Sequence, residues 1–283
     1  MKKIILLLSV FIATIYGESL RIELKDFSTQ LANYQIIDAR EASKYRQAHI
    51  KGARNFPMLQ TFDDITTNGK IINPIKMQKI ARSLGLDINK PTLIYDDGNF
   101  FEATRVFWVL EVYGFSNVKL LNGSFDDWAK HNYPIAKGSE QYQQSQYVVR
   151  VNNKKLATKF STQIATHNKN QYIIDARDKI EYLGKKSLAS RFGHIPNAIS
   201  IPATHNLSKT DTTKLLKSKK ELAHIYKDID KNSKVIIYCS LGKISTVNYF
   251  ALRELGYKVS NYDASWKEWG NDYNLPITNP SKK

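Results

Sequence analysis

The chain of 283 residues contains one cysteine, Cys239. A lone thiol excludes an internal disulfide and the paired-cysteine ligand sets of structural zinc sites. The six histidines lack ligand spacing, so no metal site is expected, and nothing calls for a cofactor. Acidic residues are also scarce, with 26 Asp and Glu against 42 Lys and Arg, giving a formal charge of +16. That excess favours small anionic partners. The basic residues are scattered through KNKN, KKSLASR and KSKK rather than lined along one helical face, which describes a solvated surface and argues against nucleic acid. Beyond residue 17 no apolar run approaches the roughly eighteen residues of a membrane span.

The apolar run that does exist lies at the start. Residues 1–17, MKKIILLLSVFIATIYG, join two lysines to an apolar stretch and a small residue, the pattern of a cleavable signal peptide cut after Gly17. No cysteine lies near the cut, which excludes a lipid anchor there. The expected mature chain is periplasmic or secreted, with no stable membrane insertion after cleavage, and is long enough for two ordinary domains. In such an oxidising compartment an unpaired Cys239 is either buried and inert or held for reaction.

The remainder is written twice. FSTQLANYQIIDAR (27–40) returns as FSTQIATHNKNQYIIDAR (160–177), and AHIKGARNFP (48–57) as GHIPNAISIP (193–202). The segment beginning TLIYDDGNFFEATRVF at 92 returns as VIIYCSLGKISTVNYF at 235. A period this long marks a duplication of whole domains rather than a stacked repeat array. The first domain is assigned to residues 18–140 and the second to 147–283, with the polar stretch KGSEQYQQSQY (137–147) expected as an exposed connector.

Within each copy short apolar runs such as YQIIDA, TLIY, YIIDA and KVIIY alternate with helically periodic segments. Ile244, Val247, Phe250, Ala251 and Leu255 form one face of a helix ending at Gly256. The pattern predicts an α/β fold in each copy, a mostly parallel central sheet flanked by helices, with ligands beyond the carboxyl ends of the strands. Cys239 sits at such an end. The helix that follows turns unpaired N–H groups and its positive dipole end toward the loop, a setting that favours a thiolate. Lys243 adds positive charge nearby. The first copy has Asp96 at the cysteine position; a carboxylate is no sulfur nucleophile, so that copy is expected to be catalytically silent.

In these motifs both copies resemble rhodanese domains, and the chain resembles the tandem-domain thiosulfate and 3-mercaptopyruvate sulfurtransferases. The matching residues are IIDAR (36–40 and 173–177), HIKGARNFP and HIPNAISIP, LIYDD, IIYCSLGK and LNGSFDDW. The resemblance implies a Cys239 persulfide, formed from a small anionic sulfur donor and discharged to a thiol, to cyanide or to a protein acceptor. The substrate-binding loop would be Ser240, Leu241, Gly242, Lys243, Ile244 and Ser245, its backbone N–H groups cradling the charged sulfur. Thiosulfate is favoured as donor because a cationic exported protein suits a small dianion. 3-Mercaptopyruvate, polysulfide and a non-catalytic persulfide carrier are the alternatives.

The chain departs from the family in two respects that matter for substrates. Ser240 and Leu241 follow the cysteine where thiosulfate-preferring relatives carry two basic residues and mercaptopyruvate-preferring relatives small ones with glycine, so neither pattern is met. The family's substrate-gripping arginine aligns with Glu181; Arg191 and Lys185 are the substitutes on offer, each read first as a solvated charge. A Cys-x5-Arg phosphatase is disfavoured because the sixth residue after Cys239 is Ser245. Asp38 with Arg40 and Asp175 with Arg177 recur in both copies and read as structural ion pairs. His49 and His194 read as turn residues, and Trp128, Trp266 and Trp269 as packing.

Overall fold

The computed structural model describes residues 19–66, 69–209 and 214–282. The expected leader, residues 1–17, lies outside the described residues, and none of the described helices is long and apolar enough to cross a membrane.

Each copy builds one five-stranded parallel sheet. In the first the spatial order is Ala53–Asn55, Gln35–Asp38, Thr92–Asp96, Val118–Ser124, Arg21–Glu23. In the second it is Ala198–Ser200, Gln171–Asp175, Lys234–Tyr238, Lys258–Tyr262, Leu156–Ala157. The two orders are equivalent strand for strand, so the duplication read in the sequence is a duplication of topology.

The central strands are buried on both faces, which is why they carry unbroken apolar runs instead of alternation. In Lys234–Tyr238 the β-branched Val235, Ile236 and Ile237 suit the pleat. Val235 and Ile237 join one core cluster, while Ile236 and Tyr238 join another with Trp266 and Trp269. The ion pairs also recur: Arg40 grips Asp38 and Arg177 grips Asp175, each with a closest approach of 2.6 Å, fully buried, at the end of the second strand of its sheet. His49 and His194 stack on Tyr45 and Tyr182, both at 3.8 Å, and pair with the carbonyls of those tyrosines. These are structural roles, repeated whether or not the copy has a cysteine.

Residues 137–147 are mostly exposed, as expected of the connector, and are tied down at two tyrosines. The Tyr142 hydroxyl donates to the Ala53 carbonyl at 2.7 Å, and the buried Tyr147 donates to the Tyr113 carbonyl at 2.6 Å. The two tyrosines in the glutamine-rich stretch strap it along the first domain.

The domains meet through equivalent helices, Phe101–Val112 and Ser245–Glu254. Thr104 Oγ1 lies 3.0 Å from Thr246 Oγ1, and Arg253 pairs with Glu111 at 2.7 Å. The members of each pair occupy the same place in the two copies. This self-complementary contact sets the amino ends of both helices, and the loops before them, beside the interface.

Candidate active site

The loop after Lys234–Tyr238 is shaped by where its carbonyls go. Cys239 donates its N–H to Ser265 Oγ at 3.1 Å, and its carbonyl accepts from Trp266 N at 2.9 Å. The Ser240 carbonyl accepts from Lys267 N at 3.0 Å. Ser265 is held at φ 56°, a left-handed value unusual for serine, at the start of the short helix Ser265–Trp269 that receives these bonds. Gly242 has φ +68°, and a Cβ there would run into the carbonyl oxygen of Asp263, so both conformation and close approach require glycine. Its carbonyl accepts from Arg105 Nη1 at 2.9 Å. With the carbonyls drawn outward, the N–H groups of residues 240–245 meet no protein acceptor among the described residues.

The first copy demonstrates what such a loop accommodates. Asp96, at the cysteine position, accepts N–H bonds from Gly98 at 2.7 Å, Ala103 at 3.1 Å and Phe100 at 3.4 Å. Phe100 has φ 63°, matching the equivalent Gly242. A buried carboxyl group therefore fills the nest in the copy without the cysteine. Burial nevertheless outweighs those three bonds and pushes the Asp96 carboxyl up to about 7. In the second copy the same place is left to Cys239.

The thiol is not open to solvent. Cys239 is 1 % exposed and belongs to the same buried hydrophobic cluster as Val247 and Phe250. An accessible strand-end sulfur, the expectation from its position, is thus not what the structure holds. Leu241, two residues on, meets Gly69 of the first domain, its Cδ2 lying 3.3 Å from where a Cβ on that glycine would stand.

Charge around the loop differs from the expectation too. Ser240 Oγ donates to Glu181 Oε1 at 3.0 Å, so a half-buried carboxylate stands where the family places its arginine. Glu102, at the amino end of the interface helix, faces Lys243; burial pushes the Glu102 carboxyl up while the ammonium pulls it down. Arg191 is not free to replace the arginine. Its guanidinium donates to the carbonyls of Gly270, Leu275, Trp269 and Asp272 at 2.5–3.1 Å, which commits it to holding the carboxyl-terminal segment. Lys185 is exposed. Arg177 keeps one buried nitrogen, Nη1, without a partner. Its counterpart Arg40 points the same atom at Asp97, 3.6 Å away, where the second copy has Ser240.

The sequence reading brought together Cys239, residues 240–245 and Glu181. It missed Arg105, Asp263, Ser265 and Glu102. The comparison of copies held one signal for Arg105: it aligns with Val247, a charge opposite an apolar residue inside an otherwise hydrophobic helix.

Similarity to known proteins agrees with this geometry. The rhodanese-like domain matches twice, over residues 23–131 and 157–272. A putative thiosulfate sulfurtransferase of Haloferax volcanii is 27 % identical over 266 residues, covering 90 % of this chain and 92 % of that protein. The 3-mercaptopyruvate sulfurtransferase of Escherichia coli (strain K12) is 28 % identical over 260 residues, covering 86 % and 91 %. The crystal structure of SseA from Escherichia coli, described as a 3-mercaptopyruvate sulfotransferase with the rhodanese fold, superposes with a TM-score of 0.78 at 25 % identity, covering 88 % of this chain and 99 % of that one. Two matched domains in tandem, one with its cysteine and one with an aspartate in the same nest, place this chain in the rhodanese family as a two-domain sulfurtransferase.

Proposed function

We propose that Cys239 carries the transferred sulfur and that thiosulfate is the donor. The Cys239 thiolate attacks the outer sulfur of thiosulfate; the sulfur–sulfur bond breaks, sulfite leaves with the bonding pair, and a cysteine persulfide remains. An acceptor thiolate or cyanide then attacks the terminal sulfur, and the Cys239 thiolate is regenerated. Both states of residue 239 are anionic, and the unpartnered N–H groups of residues 240–245 are suited to hold them. The observation that carries this reading is the pair of equivalent loops, one whose N–H groups hold the Asp96 carboxyl and one that follows Cys239 at the equivalent position with its N–H groups unpartnered among the described residues.

Incubation of the protein with thiosulfate and cyanide should yield thiocyanate, and Cys239→Ala should abolish it. Full turnover by Cys239→Ala would overturn the assignment. Glu181 beside Ser240 would repel thiosulfate and the 3-mercaptopyruvate carboxylate alike, so the preference for thiosulfate rests on the cationic balance of the chain.

A persulfide carrier is the second reading. It is supported by the burial of Cys239 and by a relative named sulfur carrier protein TtuD of Thermus thermophilus, 28 % identical over 250 residues, covering 82 % of this chain and 86 % of that protein. Fast loading by thiosulfate with slow release to cyanide, accelerated by a protein thiol, would favour it. Export rests on the first seventeen residues. Fractionation of expressing cells should recover the processed chain outside the cytoplasm, and its retention there would remove that part of the reading.

A further inference from the structure

The interface helices match at Thr104 with Thr246 and at Glu111 with Arg253, but not at the next position. After Thr104 stands Arg105, and after Thr246 stands Val247. Arg105 is fully buried, and its guanidinium bridges the two domains. Nη1 donates to the Gly242 carbonyl at 2.9 Å and pairs with Asp263, both in the second domain. Nε donates to Thr61 Oγ1 at 3.1 Å, and the group lies over the rings of Phe62 at 4.0 Å and Trp108 at 4.6 Å. Val247 offers no polar group in return. The cation is sent only toward the copy that has the cysteine.

Burying a guanidinium is costly, and an apolar pair would hold two helices together without that cost. Attachment alone therefore does not account for an arginine here. The bond to Gly242 does something more specific. A peptide unit is planar and trans, so holding the Gly242 carbonyl outward fixes the Lys243 N–H in the opposite direction, toward the inside of the loop. Asp263, in contact with Gly242 and also accepting from Ile71 N–H, locks the other side of the same joint.

Resting on the reading of Cys239 as sulfur carrier, we propose that Arg105, supplied by the domain without a cysteine, is a positioning residue for sulfur transfer. By holding the Gly242 carbonyl it keeps the N–H groups of residues 240–245 converged on residue 239. The first domain is then part of the machinery and not a passive partner.

Full-length Arg105→Met and Arg105→Lys should be compared with the native protein in three measurements: persulfide formation from thiosulfate by quenched intact mass, the pH profile of Cys239 alkylation, and the thermal midpoint. Arg105→Met should slow persulfide formation at least about tenfold, the scale of losing one donor to a developing anion, and move the alkylation midpoint to higher pH. Arg105→Lys should recover part of both, because its single ammonium cannot serve Gly242, Asp263 and Thr61 together. If Arg105→Met does not fold, Arg105→Lys decides alone, with a severalfold loss expected. Native rate and native pH profile in either folded variant would overturn the proposal. So would a slower rate with an unshifted pH profile, since that is what a loosened interface would give. Full activity in Cys239→Ala would instead overturn the underlying assignment, whatever the Arg105 variants do.

Discussion

Glu181 offers a direct way to read the charge logic of the loop. It accepts from Ser240 Oγ at 3.0 Å, next in sequence to Cys239, and Arg191 is engaged with backbone carbonyls. Glu181→Arg places a forked cation on the same half-buried helix turn, Lys179–Tyr182. A hydrogen bond from a charged donor contributes about 1.5–3 kcal/mol. At about 1.4 kcal/mol per tenfold in rate, kcat/KM for an anionic donor should rise roughly 10- to 100-fold. Glu181→Gln removes the repulsion without adding a donor and should gain less, about threefold. The gain should be larger for 3-mercaptopyruvate, whose carboxylate matches the guanidinium fork, and should shrink at high salt. The assay is steady-state sulfur transfer to cyanide with each donor at two ionic strengths. A folded Glu181→Arg protein with unchanged or lower kcat/KM for both donors would refute this account of the site.

Two further outcomes follow from the buried groups. Asp96 is held at about 7 against 3.8, so the folded state binds its proton more tightly than the unfolded chain does. Stability from this group is therefore full below about pH 4 and declines as pH rises toward 7, by about 4 kcal/mol. Asp96→Asn should remove that decline from the pH dependence of unfolding, and an identical slope in the two proteins would contradict it. Leu241→Ala removes the apolar side chain that meets Gly69. Loosening worth about 1 kcal/mol should speed alkylation of Cys239 by roughly fivefold, whereas no change would mean that another segment controls access.

Much of this was legible because duplication makes a sequence its own control. Paired IIDAR motifs, read with strand-like runs and a helical face after Cys239, implied two equivalent α/β sheets, and the strand orders are equivalent. Asp96 and Cys239 stood out by mutual difference. What was not legible depends on contacts between residues far apart in the chain. Arg105 meets Asp263 across 158 positions, and residue type alone assigns an arginine to the surface. The fate of Arg191 could not be read either, because its acceptors are backbone carbonyls, which leave no mark on residue identity. The burial of Cys239 to 1 % exposure is set by how the elements around it pack, which the strand–loop–helix pattern does not state. The connector is exposed as its glutamines implied, and only the fastening of its two tyrosines to the first domain went unread.

The central claim is that residue 239 holds the sulfur in transit. Intact mass spectrometry after brief exposure to thiosulfate, followed by digestion, tests it most directly. One added sulfur atom is expected on the peptide containing Cys239, lost again on adding cyanide and absent in Cys239→Ala. Thiocyanate formation with no sulfur ever found on that peptide, or with Cys239→Ala fully active, would contradict the account.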